Sequence, residues 1–81
     1  MYYVYVLRSL KNQKRYIGSS GKQPAIRLQE HNSGNTRFTR QNKPWVLIHQ
    51  ASFATKSEAL KREKFLKSGQ GRKWLDENIL R

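Results

Sequence analysis

The scarcest chemistry-bearing residues in this sequence are its acids. Glu30, Glu58, Glu63, Asp76 and Glu77 are the only five in 81 positions. If a divalent cation assists chemistry on a phosphodiester here, at least one of them has to hold it, because hard cations need oxygen ligands. Wound as a helix, the segment SEALKREKFLK places Ala59, Leu60, Glu63 and Leu66 on one stripe. Glu63 thus falls where an apolar residue is expected, and a carboxylate there is costly unless it is paired or metal-bound. Three readings stay open: Glu63 ligates a metal, it makes a salt bridge with Lys67 at i+4, or it is an unimportant residue at the stripe's edge. Glu58 is expected to pair with Arg62 on the solvent side, a structural role.

Arg27 and His31 are four apart in the segment AIRLQEHN and share a helical face, with Leu28 beside them toward the core. An arginine there could clamp a phosphate bidentately and stabilise developing charge. A histidine one turn on could hydrogen-bond a phosphate or shuttle a proton. The plain alternative is one cation among seventeen, next to an ordinary surface histidine. Tyr3 and Tyr5 point one way from a strand, and Tyr16 and Gly18 share a face of the next. Tyrosines are good sheet residues, and a free phenol has a pKa near 10. Proton transfer near neutrality would therefore need a cationic neighbour or a metal. The stretch NTRFTRQNKPW mixes Arg37, Phe38, Arg40 and Lys43 with Trp45, which suits backbone contacts plus base stacking. Phe38 is the better stacking candidate, since Trp45 fits a core position. His49 reads as a sheet residue rather than a ligand.

These residues need elements to position them. Tyr2 to Arg8 alternates like a strand, Ser9 to Lys14 is a polar turn, and Arg15 to Ser19 reads as the return strand of a hairpin. Pro24 suits the first turn of a helix that Ser33-Gly34 stops. Asn35 to Lys43 is expected to be loop, and WVLIHQASF a third strand. Thr55 and Glu58 have capping-box spacing before a helix that reaches about Lys67. Ser68-Gly69-Gln70-Gly71 is expected to break it, with RKWLDENIL as a short last helix docking Trp74, Leu75, Ile79 and Leu80. The expectation is an α+β fold: a small three-stranded antiparallel sheet flanked by helices, in the order β-β-α-β-α-α.

Composition narrows the partner. Seventeen Lys and Arg against five acids give a net charge of +12 and a pI near 10.7. Like charge at that density destabilises a lone compact domain, and a polyanion relieves it by counterion release. The cations run along the whole chain, so the folded surface itself should bind nucleic acid. The chain has no cysteine, no apolar run of membrane-spanning length and no signal-peptide core. A single domain over residues 1–81 with a cytoplasmic location is expected, without membrane association.

In this order and spacing the tyrosines, arginine, histidine and glutamate resemble the GIY-YIG nuclease superfamily. YVY (Tyr3-Val4-Tyr5) fills the first tripeptide slot of its signature and YIG (Tyr16-Ile17-Gly18) the second. AIRLQEHNSG is similar to the family's arginine helix. FTR…PW matches the loop before the third strand in small stand-alone members, and SEALKREKFLK the helix carrying the metal-binding glutamate. The resemblance implies a metal-dependent DNA endonuclease with Tyr5, Tyr16, Arg27, His31 and Glu63 as catalytic residues. Glu63 would bind a single Mg²⁺ or Mn²⁺, Arg27 would hold the scissile phosphate, Tyr5 and Tyr16 would position or deprotonate the attacking water, and His31 would assist. Gly18 would let the backbone close against the site, and Arg37, Phe38, Arg40 and Lys43 would bind nucleic acid.

Two departures stand out. Tyr3 replaces the signature's first glycine, and Ser19 stands three after Tyr16, where some repair nucleases of the superfamily carry lysine. Better-known members also attach a separate recognition domain, for which this sequence has no room. Weak sequence specificity, selection of a structure such as a flap, branch or single strand, or a protein partner that supplies specificity is therefore expected. If the source is bacterial, the nucleoid is the expected site of action. The alternative is a non-catalytic nucleic-acid-binding module on the same scaffold.

Overall fold

A computed structural model describes residues 1–79 and contains three strands and four helices among them. Alternating β-branched and aromatic residues form β1 (Tyr2–Ser9) and β2 (Arg15–Ser20), an antiparallel hairpin. Ser9 organises its turn. The Ser9 hydroxyl accepts from the Lys11 and Asn12 N–H groups at 3.1 and 3.3 Å and donates to the Asn42 carbonyl at 2.5 Å.

Pro24 opens α1 (Pro24–Asn32), and Gly34, at φ 80°, turns the chain away after it. The expected loop then contains a short helix, α2 (Arg37–Asn42). Thr36 and Thr39 cap each other's backbone N–H groups reciprocally, at 3.2 Å each. Threonine here does what glutamate or glutamine does in the usual box. Otherwise the expected order β-β-α-β-α-α holds.

The third strand, β3 (Trp45–Phe53), has the expected limits and pairs with the free side of β1. The sheet order is β2-β1-β3, antiparallel throughout, so β1 is central and β2 is an edge. Thr55 caps α3 (Lys56–Lys67), accepting from the Glu58 N–H at 3.2 Å. Ser68 caps α4 (Gly69–Asn78), accepting from the Gly71 N–H at 3.2 Å. Ser68 therefore starts the last helix where a break was expected, and the glycines form its first turn. A Cβ on Gly71 would overlap the Phe65 carbonyl, so glycine is what lets α4 close onto α3.

Helices cover both faces of β1, which buries Val4 through Leu7 consecutively. Val4 and Val6 pack with Ala59, Leu66 and Leu75, flanked by Trp74 and Ile79. Tyr5 and Leu7 pack with Trp45 on the other face, beside Tyr16 and Leu28. Fully burying each Val or Leu contributes about 1.5–3 kcal/mol, so the two clusters together hold the sheet between its helices. Leu60 leaves the expected stripe and is 47% exposed, while Ala59 and Leu66 turn inward. Arg62 also departs from expectation, lying over the Phe65 and Trp74 rings at 4.9 and 4.7 Å instead of pairing with Glu58. Leu80 lies outside the described residues. No described helix is long and apolar enough to cross a membrane.

Candidate active site

Strand register brings Tyr5 directly opposite Gly18. The Tyr5 ring is almost wholly buried, and its hydroxyl is held by α1 at two points. Arg27 Nε donates to it at 3.2 Å, and His31 Nε2 lies 3.2 Å away. A phenol that accepts from Arg27 still has its own O–H to donate, and a neutral imidazole nitrogen can take it. Burial, and then the charge of Arg27, push His31 below its usual value of 6.5, so it is neutral at pH 7. Burial pushes the Tyr5 phenol up despite the opposing pull of Arg27, so it keeps its proton near neutrality.

Tyr16 completes the cluster. Its ring lies 4.4 Å from His31 and stacks on Tyr5 at 6.3 Å, with planes 17° apart. Arg27 has a second anchor, donating from Nη1 to Glu30 Oε1 at 2.5 Å. Glu30 in turn accepts from Lys22 at 2.8 Å. Two of the five guanidinium N–H donors are thus committed, and the fork is fixed while it keeps donors for an anion.

Glu63 approaches from α3. Ser19 donates to its Oε1 across the edge of β2, and Lys67 Nζ holds Oε2 at 2.7 Å. Burial works to raise its pKa, but the bonds from Lys67 and Ser19 outweigh that and hold the carboxyl below 4.5. Glu63 is therefore ionised at neutral pH. It is close enough to the phenol for its charge to add to the upward shift of Tyr5. The salt bridge to Lys67 anticipated from spacing is present.

The chemistry of this carboxylate fits a hard cation. An ionised carboxylate has about four lone-pair sites, and Ser19 and Lys67 take one each. Among the described residues no group of three or more His, Asp and Glu is arranged to hold a metal. An ion here would take one protein carboxylate and keep its water, as Mg²⁺ readily does.

The four expected nucleic-acid contacts divide. Phe38 sits on α2 with its ring 6.3 Å from Tyr16 and 5.8 Å from Trp45, and is 40% exposed. Arg37, Arg40 and Lys43 lie on the exposed surface in and after α2 and bond to none of the five central residues. Trp45 is core, as expected, donating from Nε1 to the Thr39 carbonyl at 3.1 Å. His49 packs edge-on against Trp74, a sheet residue. Glu30 was missed as a site residue, although its i+3 spacing from Arg27 was there to read. Ser19 had been noted only for what it replaces.

The GIY-YIG catalytic domain matches residues 1–75. The chain belongs to the GIY-YIG family. It is 35% identical over 68 residues to a UPF0213 protein of Staphylococcus haemolyticus, covering 83% of this chain and 80% of that one. Against a UPF0213 protein of Enterococcus faecalis the identity is 40% over 65 residues, with 76% and 72% covered. A UPF0213 protein of Staphylococcus saprophyticus is 37% identical over 68 residues, with 83% and 80% covered. No solved structure matches. A GIY-YIG catalytic domain is a nuclease-type domain, which points to a function on nucleic acid.

Proposed function

We propose that this GIY-YIG protein is a metal-dependent DNA endonuclease that hydrolyses phosphodiester bonds, structure-selectively or with weak sequence specificity. The observation that carries the reading is the meeting of Tyr5, Tyr16, Arg27 and His31 on one face of the hairpin, with ionised Glu63 bonded across the edge of β2.

In this reading Arg27 binds a nonbridging oxygen of the scissile phosphate and stabilises the charge that grows there. Tyr5, almost wholly buried, orients Arg27 through its hydroxyl, and His31 holds the phenol in place by accepting its proton in a hydrogen bond. Tyr16, partly exposed at an open groove, is the tyrosine that contacts the attacking water. Glu63 would hold Mg²⁺ or Mn²⁺. A bound ion supplies neutralisation of negative charge at the leaving oxygen. The +12 charge attracts the DNA backbone, and selectivity comes from substrate shape or a protein partner. The setting that fits is the cytoplasm, where the chain would reach chromosomal DNA.

One observation favours a second reading, a nucleic-acid-binding module that does not cut: Ser19 and Lys67 already occupy both oxygens of Glu63. One experiment separates the two. End-labelled duplex, single-stranded, flap and branched DNA would be incubated with Mg²⁺, Mn²⁺ or EDTA and either wild type or Glu63→Ala. Metal-dependent products that vanish in the variant are expected. Undiminished cleavage by Glu63→Ala would overturn the assignment, and equal binding without cut strands would favour the binding module.

A further inference from the structure

A groove of about 700 Å³ opens beside Tyr16, between the hairpin, α2 and the junction of α3 with α4. Lys14, Arg15, Lys67 and Arg72 line it together with Tyr16 and Phe38, and among the described residues no carboxylate does. The acids nearby are already paired, Asp76 with Arg15 and Glu63 with Lys67. These cations come from three separate elements. Only the fold gathers them.

We propose that this groove is the track for the backbone of one nucleic-acid strand running away from the scissile phosphate. Lys14 and Arg72 bind its phosphates and Phe38 stacks beneath a base. The proposal rests on the nucleic-acid reading of the site. Three features point to a strand. A cationic groove interrupted by aromatic faces is how backbone-tracking sites are built. Its volume is that of a small-ligand cleft, suited to a short stretch of one strand. Tyr16 belongs to both the groove and the catalytic cluster, and Lys67 reaches Glu63 from the rim at 2.7 Å. A strand in the groove therefore leads into the site. Arg37, Arg40 and Lys43 do not line it.

Net charge alone makes any part of this surface bind DNA, so the test compares two variants with equal charge loss. Lys14→Gln/Arg72→Gln empties the groove of two cations. Lys61→Gln/Lys64→Gln removes two from the outer side of α3, where both line a hollow beside Leu60. All four side chains are exposed. Anisotropy of a labelled single strand and its duplex would be followed over a range of salt in EDTA. Each lost phosphate contact flattens the plot of log K against log[salt] by about 0.7 for a single strand. The groove pair is expected to flatten it by about 1.4 and to weaken binding about tenfold or more, while the α3 pair changes the slope by less than half as much. Equal flattening by the two pairs would overturn the proposal. If the groove pair does not fold, Arg72→Gln alone should flatten the slope by about 0.7, and no change would again overturn it. Cleavage assayed in Mg²⁺ on the same proteins separates the two readings. Cleavage with equal slopes removes the track and leaves the nuclease. Unequal slopes without cleavage support the track and remove the nuclease.

Discussion

Gly18 lies against the Tyr5 hydroxyl so closely that a Cβ built on it would stand 2.6 Å from the phenol oxygen and 2.8 Å from the ring carbon bearing it. The second tripeptide of the signature thus ends in glycine here to make room for the tyrosine of the first. Gly18→Ala has to move the hydroxyl that Arg27 and His31 share. Overpacking of this kind costs about 1–3 kcal/mol. The expected outcome is a folded but less stable protein whose cleavage rate falls at least about tenfold, because Arg27 loses its alignment. Gly69→Ala is the control, since nothing lies within 4 Å of a Cβ there. Melting curves and cleavage rates on both variants check this, and full activity in Gly18→Ala would contradict it.

In the proposed function Arg27 serves catalysis rather than grip. Glu30 and Tyr5 fix its guanidinium, while sixteen other Lys and Arg remain to hold the backbone, one fewer than the seventeen in the sequence. Arg27→Ala is expected to lower the single-turnover rate about a hundredfold or more, the size of effect seen when a preorganised donor is removed. Affinity for DNA should fall only a few-fold. A loss confined to affinity would count against the phosphate-clamp role.

The buried histidine makes stability depend on pH. His31 is held below its usual value of 6.5, by burial first and by Arg27 second. His49 shifts the same way through burial and then Arg62. A group depressed in the fold binds more protons once unfolded, so its contribution is complete above the unfolded value and is lost as pH falls through the folded one. Stability should therefore decline as pH drops below about 6.5. The lowered carboxyls of Glu30 and Glu63 add a further loss only below 4.5. Urea unfolding at several pH values, with wild type, His31→Gln and His49→Gln, checks this. Each variant should show a shallower decline between neutrality and pH 5.5. Stability that rises on acidification would contradict the assignment.

Much of this is legible in the sequence. The alternation around Tyr3 and Tyr5, the proline and glycine bounding α1, and the limits of β3 are local signals, and the fold follows them. The same is true of Glu63, whose inward position showed in the wheel because Ala59 and Leu66 are its neighbours on the helix. Leu60 was misplaced because a wheel gives a stripe without saying where its edge meets the sheet. The helix α2 was missed because its cap is a pair of threonines, Thr36 and Thr39, and Phe38 is the one apolar residue in an otherwise polar segment. The bond from Ser19 to Glu63 joins residues 44 apart in sequence, and the groove gathers Lys14 and Arg72 from opposite ends of the chain. Such relationships depend on register and packing, which no local pattern encodes.

The pairing of Lys67 with Glu63 sets the last expectation. The ammonium holds Oε2 at 2.7 Å, so an ion that joins Glu63 meets a cation already seated on the carboxylate. Removing the competitor should tighten metal binding. An exposed i,i+4 pair is worth about 0.2–1 kcal/mol, so Lys67→Met is expected to bind Mn²⁺ up to about fivefold more tightly than wild type. Glu63→Gln should lose that binding, since an amide oxygen carries no charge to offset the ion's desolvation. Electron paramagnetic resonance of free Mn²⁺, or calorimetry, reads both without DNA and without turnover. The same lysine lines the groove, so Lys67→Met should also flatten the salt dependence of strand binding by about 0.7. Tighter metal binding together with a flatter slope is the combination that only a lysine shared between carboxylate and strand produces. Unchanged Mn²⁺ affinity in both variants would show that the ion binds elsewhere on the chain.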